Sequence, residues 1–348
     1  MKINVCSETE ILQMHGEGVS TSFLNCVELL NEQPDLEVLV NNEGIGDVMH
    51  CHTYGPYYFL RGLKYKGRRV FTAHVIPDSA KGTFPAWRLL MPVFRWYLKK
   101  VYSYADVCIA ISPMVESAIK GLGVKTKIVR MNNPLLLHLW KRTPELRKKG
   151  REILGLKEDD FCVLGVGQLE NRKGVSDFIE IGKQLPQAQF RWIGGRHFGI
   201  FTDGYREINK GIENAPSHIK FAGMFQLSDM PCLYAAADMF IFPSYQENCP
   251  LAPLEAAASG MPVIYRDIEE YKSLYKNNYL TAQNNAQFAD WIKKLMTGEE
   301  DYKEALSISE KLISQFDKNE IRKELVDLYK DLADHYISHL HNVNLKTT

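Results

Sequence analysis

The chain has 348 residues, of which 45% are hydrophobic and 24% are charged, and its formal net charge at pH 7 is +0. This composition is that of a folded protein of two ordinary domains and excludes a disordered or collagen-like chain. The seven cysteines form no C-x-x-C pair, which indicates a reduced protein without a zinc site. We expect neither a signal peptide nor a membrane-spanning helix, because no stretch has the required apolar length.

The neutral net charge conceals an uneven distribution along the chain. Residues 1–60 carry one lysine and nine acidic residues, whereas residues 61–150 carry 19 Lys and Arg against 4 Asp and Glu. So basic a segment indicates a polyanionic partner, which at this point could be anionic lipid, nucleic acid or phosphate.

The first half of the chain is predicted to alternate between short strands and helices. A strand at residues 2–6 leads into a loop with Gly16 and Gly18, and a helix follows at residues 21–30. Glycines between a strand and a helix let backbone amides approach a phosphate or a sugar, although a tight structural turn is nearly as good an explanation. Further strands are predicted at residues 36–40, 48–52, 69–73, 106–112 and 127–131.

Histidines mark the ends of two of these strands. His50 and His52 lie at positions i and i+2, on the same face of a strand, and could bind a metal ion. No third or fourth ligand has a convincing spacing, so we interpret His52 as part of a polar rim at an acceptor site. His74 follows the strand at residues 69–73, a position where a lone histidine is more often structural than catalytic.

Residues 84–104 form a predicted amphipathic helix. Arg88, Arg95 and Lys99 fall along one line of the helical wheel. Roughly opposite lies an apolar set: Trp87, Leu90, Phe94, Tyr97, Leu98 and Val101. With Trp96 and Lys100, this pattern is typical of a helix in a membrane interface. A core helix with a solvated basic edge is the alternative, and the internal proline is expected to kink or split the helix.

The second half begins after a polar, basic stretch at residues 134–155, which we interpret as a linker. A strand predicted at residues 161–167 is followed by Gln168, Arg172 and Lys173. A pair of cations at a strand–helix junction indicates a bound anion, because helix N-termini disfavour unpaired positive charge. Further strands are predicted at residues 191–195 and 221–224.

The stretch from Phe242 to Ile264 contains two carboxylates in a predicted strand–helix–strand unit. Glu247 lies in the loop and Glu255 in the helix. Both are near the carboxyl end of a strand, where open α/β sheets bind ligands. A structural unit with two solvated glutamates is the alternative.

The E-x7-E spacing, with Pro-Ser before it and E-A-x-A-x-G-x-P-V-I after it, resembles the signature of the retaining nucleotide-sugar glycosyltransferases of family 4. The resemblance implies an α/β protein of the GT-B fold, with two Rossmann-like domains facing each other across a cleft. In that family the glutamate matching Glu255 holds the ribose, and the one matching Glu247 faces the donor hexose. The family usually has Gly-Phe-Gly after the first glutamate, where this chain has Asn248, Cys249 and Pro250.

Other motifs extend the resemblance to the rest of the donor site. Family members carry G-R-L-x-x-x-K-G, which implies that Lys173 contacts the donor diphosphate, whereas Gln168 replaces the arginine. Arg172 is a hypothetical substitute for that arginine. The resemblance also implies that His74 faces the 6-hydroxyl of the donor sugar, so Glu247, His74 and Lys173 are the predicted catalytic residues. The remaining predicted donor-binding residues are Gly16, Gly18, Met224, Asn248, Cys249, Pro250 and Leu251.

We predict three regions on this basis. Residues 1–150 form an acceptor- and membrane-facing domain, residues 151–318 form the donor domain, and residues 319–348 form a helix that crosses back to the first domain. The H-x-H-T-x-G-P sequence from His50 to Pro56 resembles bacterial glycolipid glycosyltransferases, in particular diglycosyl-diacylglycerol synthases.

This subgroup implies transfer of glucose or galactose from a UDP-sugar to a membrane glycolipid such as monoglucosyl-diacylglycerol. It also implies α-retention and no metal or other cofactor. We expect a peripheral enzyme at the cytoplasmic face of the plasma membrane, with an anionic membrane surface as partner and no nucleic acid. The alternatives are a soluble polysaccharide or glycoside acceptor, a sugar-nucleotide epimerase, and a catalytically silent protein that binds membrane or nucleic acid.

Overall fold

The computed structural model describes residues 1–11, 18–42, 46–80, 87–196, 199, 202, 204–276, 278–316 and 318–344, with the backbone alone for residues 10–11 and 335–344. Contacts divide the chain into two compact units. Unit 1 comprises Met1–Ser79, Leu89–Pro134 and Phe316–Thr348, and unit 2 comprises Ala80–Arg88 and Leu135–Gln315.

Each unit is built on a parallel sheet. The strands are β1 (Lys2–Cys6), β2 (Glu37–Val40), β3 (Val48–Cys51), β4 (Arg68–Ala73), β5 (Val107–Ala110), β6 (Lys127–Arg130), β7 (Cys162–Val166), β8 (Gln189–Ile193), β9 (Ile219–Gly223), β10 (Met239–Phe242), β11 (Val263–Arg266) and β12 (Leu280–Ala282). Unit 1 has the order β2-β1-β3-β4-β5-β6, and unit 2 has the order β12-β11-β10-β7-β8-β9. The central strands are apolar along their length because helices cover both faces of such sheets.

Helices connect most of the successive strands in both units. They are α1 (Glu8–Ile11), α2 (Gly18–Asn31), α3 (Pro56–Gly62), α4 (Trp87–Tyr104), α5 (Pro113–Gly121), α6 (Leu137–Trp140), α7 (Pro144–Leu154), α8 (Val175–Lys183), α9 (Tyr205–Glu213), α10 (Met230–Ala235), α11 (Ala252–Ala258), α12 (Glu269–Tyr275), α13 (Asn285–Thr297), α14 (Glu299–Ile313) and α15 (Lys318–Asn344). In the part of the chain that the structure describes, none of them is both long and apolar enough to cross a bilayer.

The last helix, α15, packs on unit 1. Its residues Ile321, Leu325 and Tyr329 join the core that β1 and α2 form, where Phe23 is fully buried. At the entry of the helix, Lys318 Nζ lies 2.7 Å from Glu32 Oε1, just after α2. The apolar side of α15 therefore covers the sheet of unit 1.

The core of unit 2 surrounds the first two strands of its sheet. Phe178 of α8 contacts Phe190 and Trp192 of β8 edge to face, with ring centroids 5.4 and 5.1 Å apart. All three side chains are essentially inaccessible to solvent. This packing fixes the position of the segment between β7 and α8, which carries three of the predicted site residues, Gln168, Arg172 and Lys173.

The structure corrects the predicted linker and domain boundary. Residues 135–150 belong to unit 2 and form α6 and most of α7, rather than ending the first domain. A Cβ on Gly150 would lie only 1.8 Å from the carbonyl oxygen of Cys232, so α7 and α10 pack in close contact there. Arg147 and Arg151 lie 2.7 and 3.6 Å from the carboxylate of Asp238. The arginines of the basic sequence that suggested a linker thus bind the carbonyl groups at the C-terminal end of α10 and the carboxylate of Asp238.

Most strands lie within two residues of their predicted ends, because long apolar runs leave little choice of position. The short strand β12 was not predicted. Helix α4 is continuous from Trp87 to Tyr104 with Pro92 inside it, so the proline does not split the helix.

Candidate active site

The carboxyl ends of the unit 2 strands bring together most of the predicted donor-site residues. Gln168 lies just beyond β7, Met224 follows β9, and Glu247 lies in the loop after β10. Parallel strands direct these ends to one edge of the sheet, which is where open α/β sheets bind ligands. Met224 is 63% exposed there, whereas Gln168 is half-buried.

Glycines bring the backbone close together at this edge. The Gly167 amide donates to the Ile193 carbonyl at 3.0 Å, and the Leu169 amide donates to the Gly195 carbonyl at 2.8 Å. A Cβ on Gly194 would lie 2.0 Å from the carbonyl oxygen of Gly167, and Gly194 has a φ of +134°. Only glycine fits there without a backbone shift. These contacts fix the ends of β7 and β8 against each other at this edge of the sheet.

Glu247 is the centre of a buried charged cluster. Its Oε1 accepts hydrogen bonds from Lys173 Nζ at 2.5 Å and from Ser244 Oγ at 2.6 Å. The guanidinium of Arg172 lies 3.7 Å from the same oxygen and donates to Glu170 at 2.7 Å. The side chains of Glu170 and Glu247 are 3% and 7% exposed.

The electrostatics of this cluster keep Glu247 ionised. Burial alone would raise the pKa of the Glu247 carboxyl. The positive charges of Lys173 and Arg172, with hydrogen bonds from Lys173 and Ser244, outweigh burial and hold that pKa below its ordinary value. Glu247 is therefore a carboxylate that can accept hydrogen bonds from hydroxyl groups.

Two loops meet to place Lys173 on Glu247. The turn at Asn171–Lys173 ends at Gly174, whose φ is +72° and whose Cβ, if present, would lie 2.3 Å from the Pro243 carbonyl oxygen. The Tyr245 amide donates to the Arg172 carbonyl at 2.8 Å. The turn is therefore fastened to the loop after β10 by backbone contacts at the point where the charges meet.

The structure also shows what Arg172 contacts. Besides Glu170 and Glu247, it donates to the backbone carbonyl of Gln246 at 2.9 Å. A phosphate contact by Arg172 would therefore compete with three protein partners. Its role as substitute for the arginine absent at Gln168 stays a prediction.

Glu255 lies in a very different environment from Glu247. It is 6% exposed in α11 and accepts a hydrogen bond from Tyr234 Oη at 2.8 Å. Burial raises the pKa of its carboxyl to about 7, against which the hydrogen bond from Tyr234 has a smaller effect. Of the chain that separates the two glutamates, Cys249, Pro250 and Leu251 are buried and Asn248 is half-buried.

Three histidines form a buried network in unit 1. His50 shares hydrogen bonds of 2.6 Å with Tyr329 Oη and with Thr72 Oγ1, and His52 Nδ1 lies 3.2 Å from His74 Nε2. Burial lowers the pKa of His50 and of His74 to about 3, so both rings are neutral. His52 is only 3% exposed, and its place in a polar rim at the acceptor site stays a prediction. The contact of His74 with a donor sugar stays a prediction.

A third ligand does lie near the histidine pair. Cys26 of α2, His50 and His52 place potential ligand atoms within 4.8 Å of one another. Sequence spacing could not reveal this, because Cys26 belongs to a helix that packs across the strand. Both ring nitrogens of His50 already share hydrogen bonds, so a metal ion would have to break one of them. The arrangement fits a buried hydrogen-bond network better than a metal site.

The two faces of α4 differ from the prediction. Phe94 and Tyr97 pack inward on the segment around Tyr54, and the Tyr97 hydroxyl donates to the Tyr54 carbonyl at 2.7 Å. Leu98 and Val101 are buried as predicted. Leu90, however, is 52% exposed instead of joining them.

Apolar and basic side chains therefore share the exposed face of α4. Leu89, Val93 and Trp96 are 82%, 63% and 60% exposed. The predicted basic residues accompany them on the surface: Arg88, Arg95, Lys99 and Lys100. Trp87 is half-buried. We call the exposed side chains of Leu89, Val93, Arg95, Trp96, Lys99 and Lys100 the α4 face.

The glycine loop of unit 1 is only partly described. Gly16 lies outside the described residues. Gly18 is the first residue of α2, is exposed, and has open space where a Cβ would be. Its proposed contact with a donor stays a prediction.

The opposite environments of the two glutamates predict a pH effect on stability. Because the Glu255 pKa is raised in the folded protein, ionising it disfavours the folded state. The unfolding free energy, relative to Glu255→Gln, should fall as pH rises from about 5 to about 8 and level off above that. A shift of the Glu255 pKa from its ordinary value of 4.5 to about 7 corresponds to a loss of unfolding free energy on the order of 3 kcal/mol across this pH range.

Urea unfolding of the ligand-free protein at several pH values measures this difference. Glu304→Gln, at an exposed position of α14, is the matched control and should give a pH-independent difference from wild type. The same flat profile for Glu255→Gln would contradict the buried protonated carboxyl.

Two family profiles match the chain in sequence. The profile described as "Glycosyltransferase Family 4" matches residues 39–135, and the profile "Glycosyl transferases group 1" matches residues 147–311. The two profiles thus cover most of unit 1 and unit 2 respectively.

Curated relatives match over nearly the whole chain. The alpha-galactosylglucosyldiacylglycerol synthase of Streptococcus pneumoniae is 29% identical over 96% of this chain and 90% of that protein. The processive diacylglycerol alpha-glucosyltransferase of Acholeplasma laidlawii is 28% identical over 95% of this chain and 98% of that protein.

Solved structures share the fold. HepE of Anabaena, determined in complex with UDP and glucose, has a TM-score of 0.75 at 19% identity and covers 95% of this chain and 100% of its own. WaaG, a glycosyltransferase of lipopolysaccharide biosynthesis, has a TM-score of 0.63 at 14% identity, with 94% and 99% covered. The predicted fold is confirmed, and with it the two profiles and the curated relatives lead to one assignment. The chain is a glycosyltransferase of the GT-B fold, an enzyme that transfers a hexose from a nucleotide sugar.

Proposed function

We propose that this glycosyltransferase moves glucose or galactose from a UDP-sugar to a diacylglycerol glycolipid at an anionic membrane surface, with retention of the α-configuration. The observation that supports the acceptor class is the similarity, along nearly the full length, to two glycosyltransferases named for diacylglycerol substrates. The α4 face provides independent support, because a soluble acceptor would give no reason to expose apolar and basic side chains together.

The donor half of this proposal depends on the Glu247 cluster. An ionised, nearly buried carboxylate can accept paired hydrogen bonds from the hydroxyls of a hexose. Lys173 lies beside it with a side chain that is 15% exposed, so it can reach an oxygen of a bound ligand as well as Glu247. A cation there stabilises the negative charge that develops on the leaving UDP.

Glu255 suits the second contact, that with the ribose. A carboxyl group with a raised pKa can be a neutral donor and acceptor when the site is empty, and can ionise when hydroxyl donors arrive. We propose that the enzyme needs no metal ion, since Lys173 supplies positive charge where metal-dependent transferases use a divalent cation.

The α4 face would hold the enzyme at the lipid surface. Trp96 and the aliphatic side chains Leu89 and Val93 can enter the headgroup boundary, where tryptophan is favoured. Lys99 and Lys100 can contact anionic headgroups, each with a contribution of about 1 kcal/mol. Leu60 of α3, the helix that contacts α4 through Phe59 and Tyr97, is also 57% exposed.

A transfer assay tests this function. Purified protein receives liposomes that contain monoglucosyl-diacylglycerol and an anionic lipid, with UDP-glucose and UDP-galactose in parallel. We expect an α-linked diglycosyl lipid with one of the donors, still formed when a chelator is present. Glu247→Gln should lower the rate by about 100-fold or more, because a neutral amide cannot replace the carboxylate.

Glu269→Gln is the matched control for the transfer assay, because Glu269 is 85% exposed on α12, and its rate should equal that of wild type. Transfer to soluble glycosides but not to the lipid would contradict the proposed acceptor. UDP release without any acceptor would instead favour an epimerase.

Membrane attachment is a separate prediction of the α4 face. Removing two charges with Lys99→Gln and Lys100→Gln should weaken binding to anionic liposomes about tenfold or more, since about 2 kcal/mol is lost. Trp96→Ser should weaken binding to the same liposomes at high salt, where the electrostatic part is screened. Co-sedimentation measures both effects.

The control for the membrane experiment removes two charges elsewhere, with Lys303→Gln and Lys311→Gln on the exposed side of α14. Equal losses of binding in the two double variants would show a non-specific charge effect and contradict a docking role for α4.

A further inference from the structure

The charged cluster around Glu247 carries no net positive charge. Lys173 and Arg172 contribute two positive charges, and the ion pairs with Glu247 and Glu170 compensate both. The diphosphate of a nucleotide sugar brings about two negative charges, and phosphates are bound through charge-assisted hydrogen bonds from uncompensated cations. With the neutral Gln168 at the end of β7, this edge of the sheet needs a further cation.

Arg196 lies at the same edge of the unit 2 sheet. It follows Gly195, whose carbonyl accepts from the Leu169 amide at 2.8 Å, so its backbone runs beside the segment that carries Gln168. The aliphatic part of Lys173 borders the same place, because a Cβ on Gly167 would lie 3.6 Å from Lys173 Cδ. Arg196 and Lys173 thus flank the paired ends of β7 and β8.

Neutral partners hold the Arg196 side chain. One of its terminal nitrogens donates to Asn209 Oδ1 at 2.6 Å, and the guanidinium carbon lies 5.0 Å from the ring centroid of Tyr205. Both partners belong to α9. Among the described residues, no carboxylate forms an ion pair with Arg196, and its buried Nε has no hydrogen-bond partner.

The start of α9 lies against the turn that carries Lys173. A Cβ on Gly204, the residue before α9, would lie 2.3 Å from Asn171 Oδ1. The helix that orients Arg196 is therefore in contact with the turn that orients Lys173. Arg196 thus has a side chain held in a fixed direction, no carboxylate partner among the residues that the structure describes, and an unused donor, and these properties suit an arginine that binds phosphate.

We propose that Arg196 binds the diphosphate of the donor nucleotide, and so replaces the arginine that is absent at Gln168. This inference rests on the UDP-sugar donor of the proposed function and names the residue that completes its phosphate site. Arg172 then has a different task, which is to hold Glu170 and Glu247 in place.

Binding measurements with UDP and uridine test this proposal, because the two ligands share the nucleoside and only UDP has phosphates. Arg196→Gln should raise the dissociation constant of UDP about tenfold or more, measured by calorimetry, and leave that of uridine, measured by ligand-observed NMR, unchanged. Arg196→Lys should recover part of the UDP affinity. Arg206→Gln, which removes the same charge from an exposed position of α9, should bind UDP like wild type.

The outcomes separate the inference from its premise. Unchanged UDP affinity in Arg196→Gln, or equal losses for UDP and uridine, would overturn the role of Arg196 while the donor assignment stands. Failure of the wild-type protein to bind UDP would overturn both. If Arg196→Gln does not fold, Asn209→Ala serves instead, because it removes the hydrogen bond that orients the guanidinium and keeps the charge. For the inference to stand, Asn209→Ala must lower the affinity for UDP more than the affinity for uridine.

Discussion

The ion pair between Lys173 and Glu247 is the interaction on which the site in unit 2 depends. It joins the turn after β7 to the loop after β10, with Nζ and Oε1 2.5 Å apart. The backbone is built to permit this contact, since Gly174 has a positive φ and lies tightly against Pro243. Burying ion pairs offers little stability, because desolvation offsets most of the attraction. The cluster is therefore better understood as a prepared binding site than as a means of stabilising the fold.

Glu247, in the loop after β10, and Glu255, in the helix that follows, show how the environment of a carboxyl group sets its protonation state. Glu247 is buried among cations and stays ionised, whereas Glu255 is buried beside the neutral Tyr234 and has its pKa raised to about 7. A carboxylate held by cations suits hydrogen bonds from a hexose near the point of reaction. A carboxyl that changes protonation state suits ribose hydroxyls that arrive with the nucleotide.

The architecture, and the positions of the site residues after the strands of unit 2, could be predicted from the sequence. Apolar runs located the strands because buried parallel strands are apolar throughout. The sequence did not predict which side chains form ion pairs with each other in the folded protein. The basic residues Arg147 and Arg151 suggested a linker, yet they bind Asp238. Spacing alone showed neither that Glu170 neutralises Arg172 nor that Arg196 has no carboxylate partner among the described residues. Ion pairing depends on tertiary contacts, which helical wheels and motifs do not contain.

The central claim is that Glu247 faces the donor hexose, and binding affinities measure this directly. In wild type, UDP-glucose or UDP-galactose should bind more tightly than UDP, because the hexose adds hydrogen bonds to the carboxylate. In Glu247→Gln this advantage should disappear, so that the UDP-sugar and UDP bind with affinities within about threefold of each other, a small difference on the free-energy scale. The comparison is made within each protein, because the variant also leaves Lys173 without its ion-pair partner and so should tighten the binding of UDP itself. An advantage of the same size in both proteins would show that Glu247 does not contact the sugar, and would contradict the account of the site.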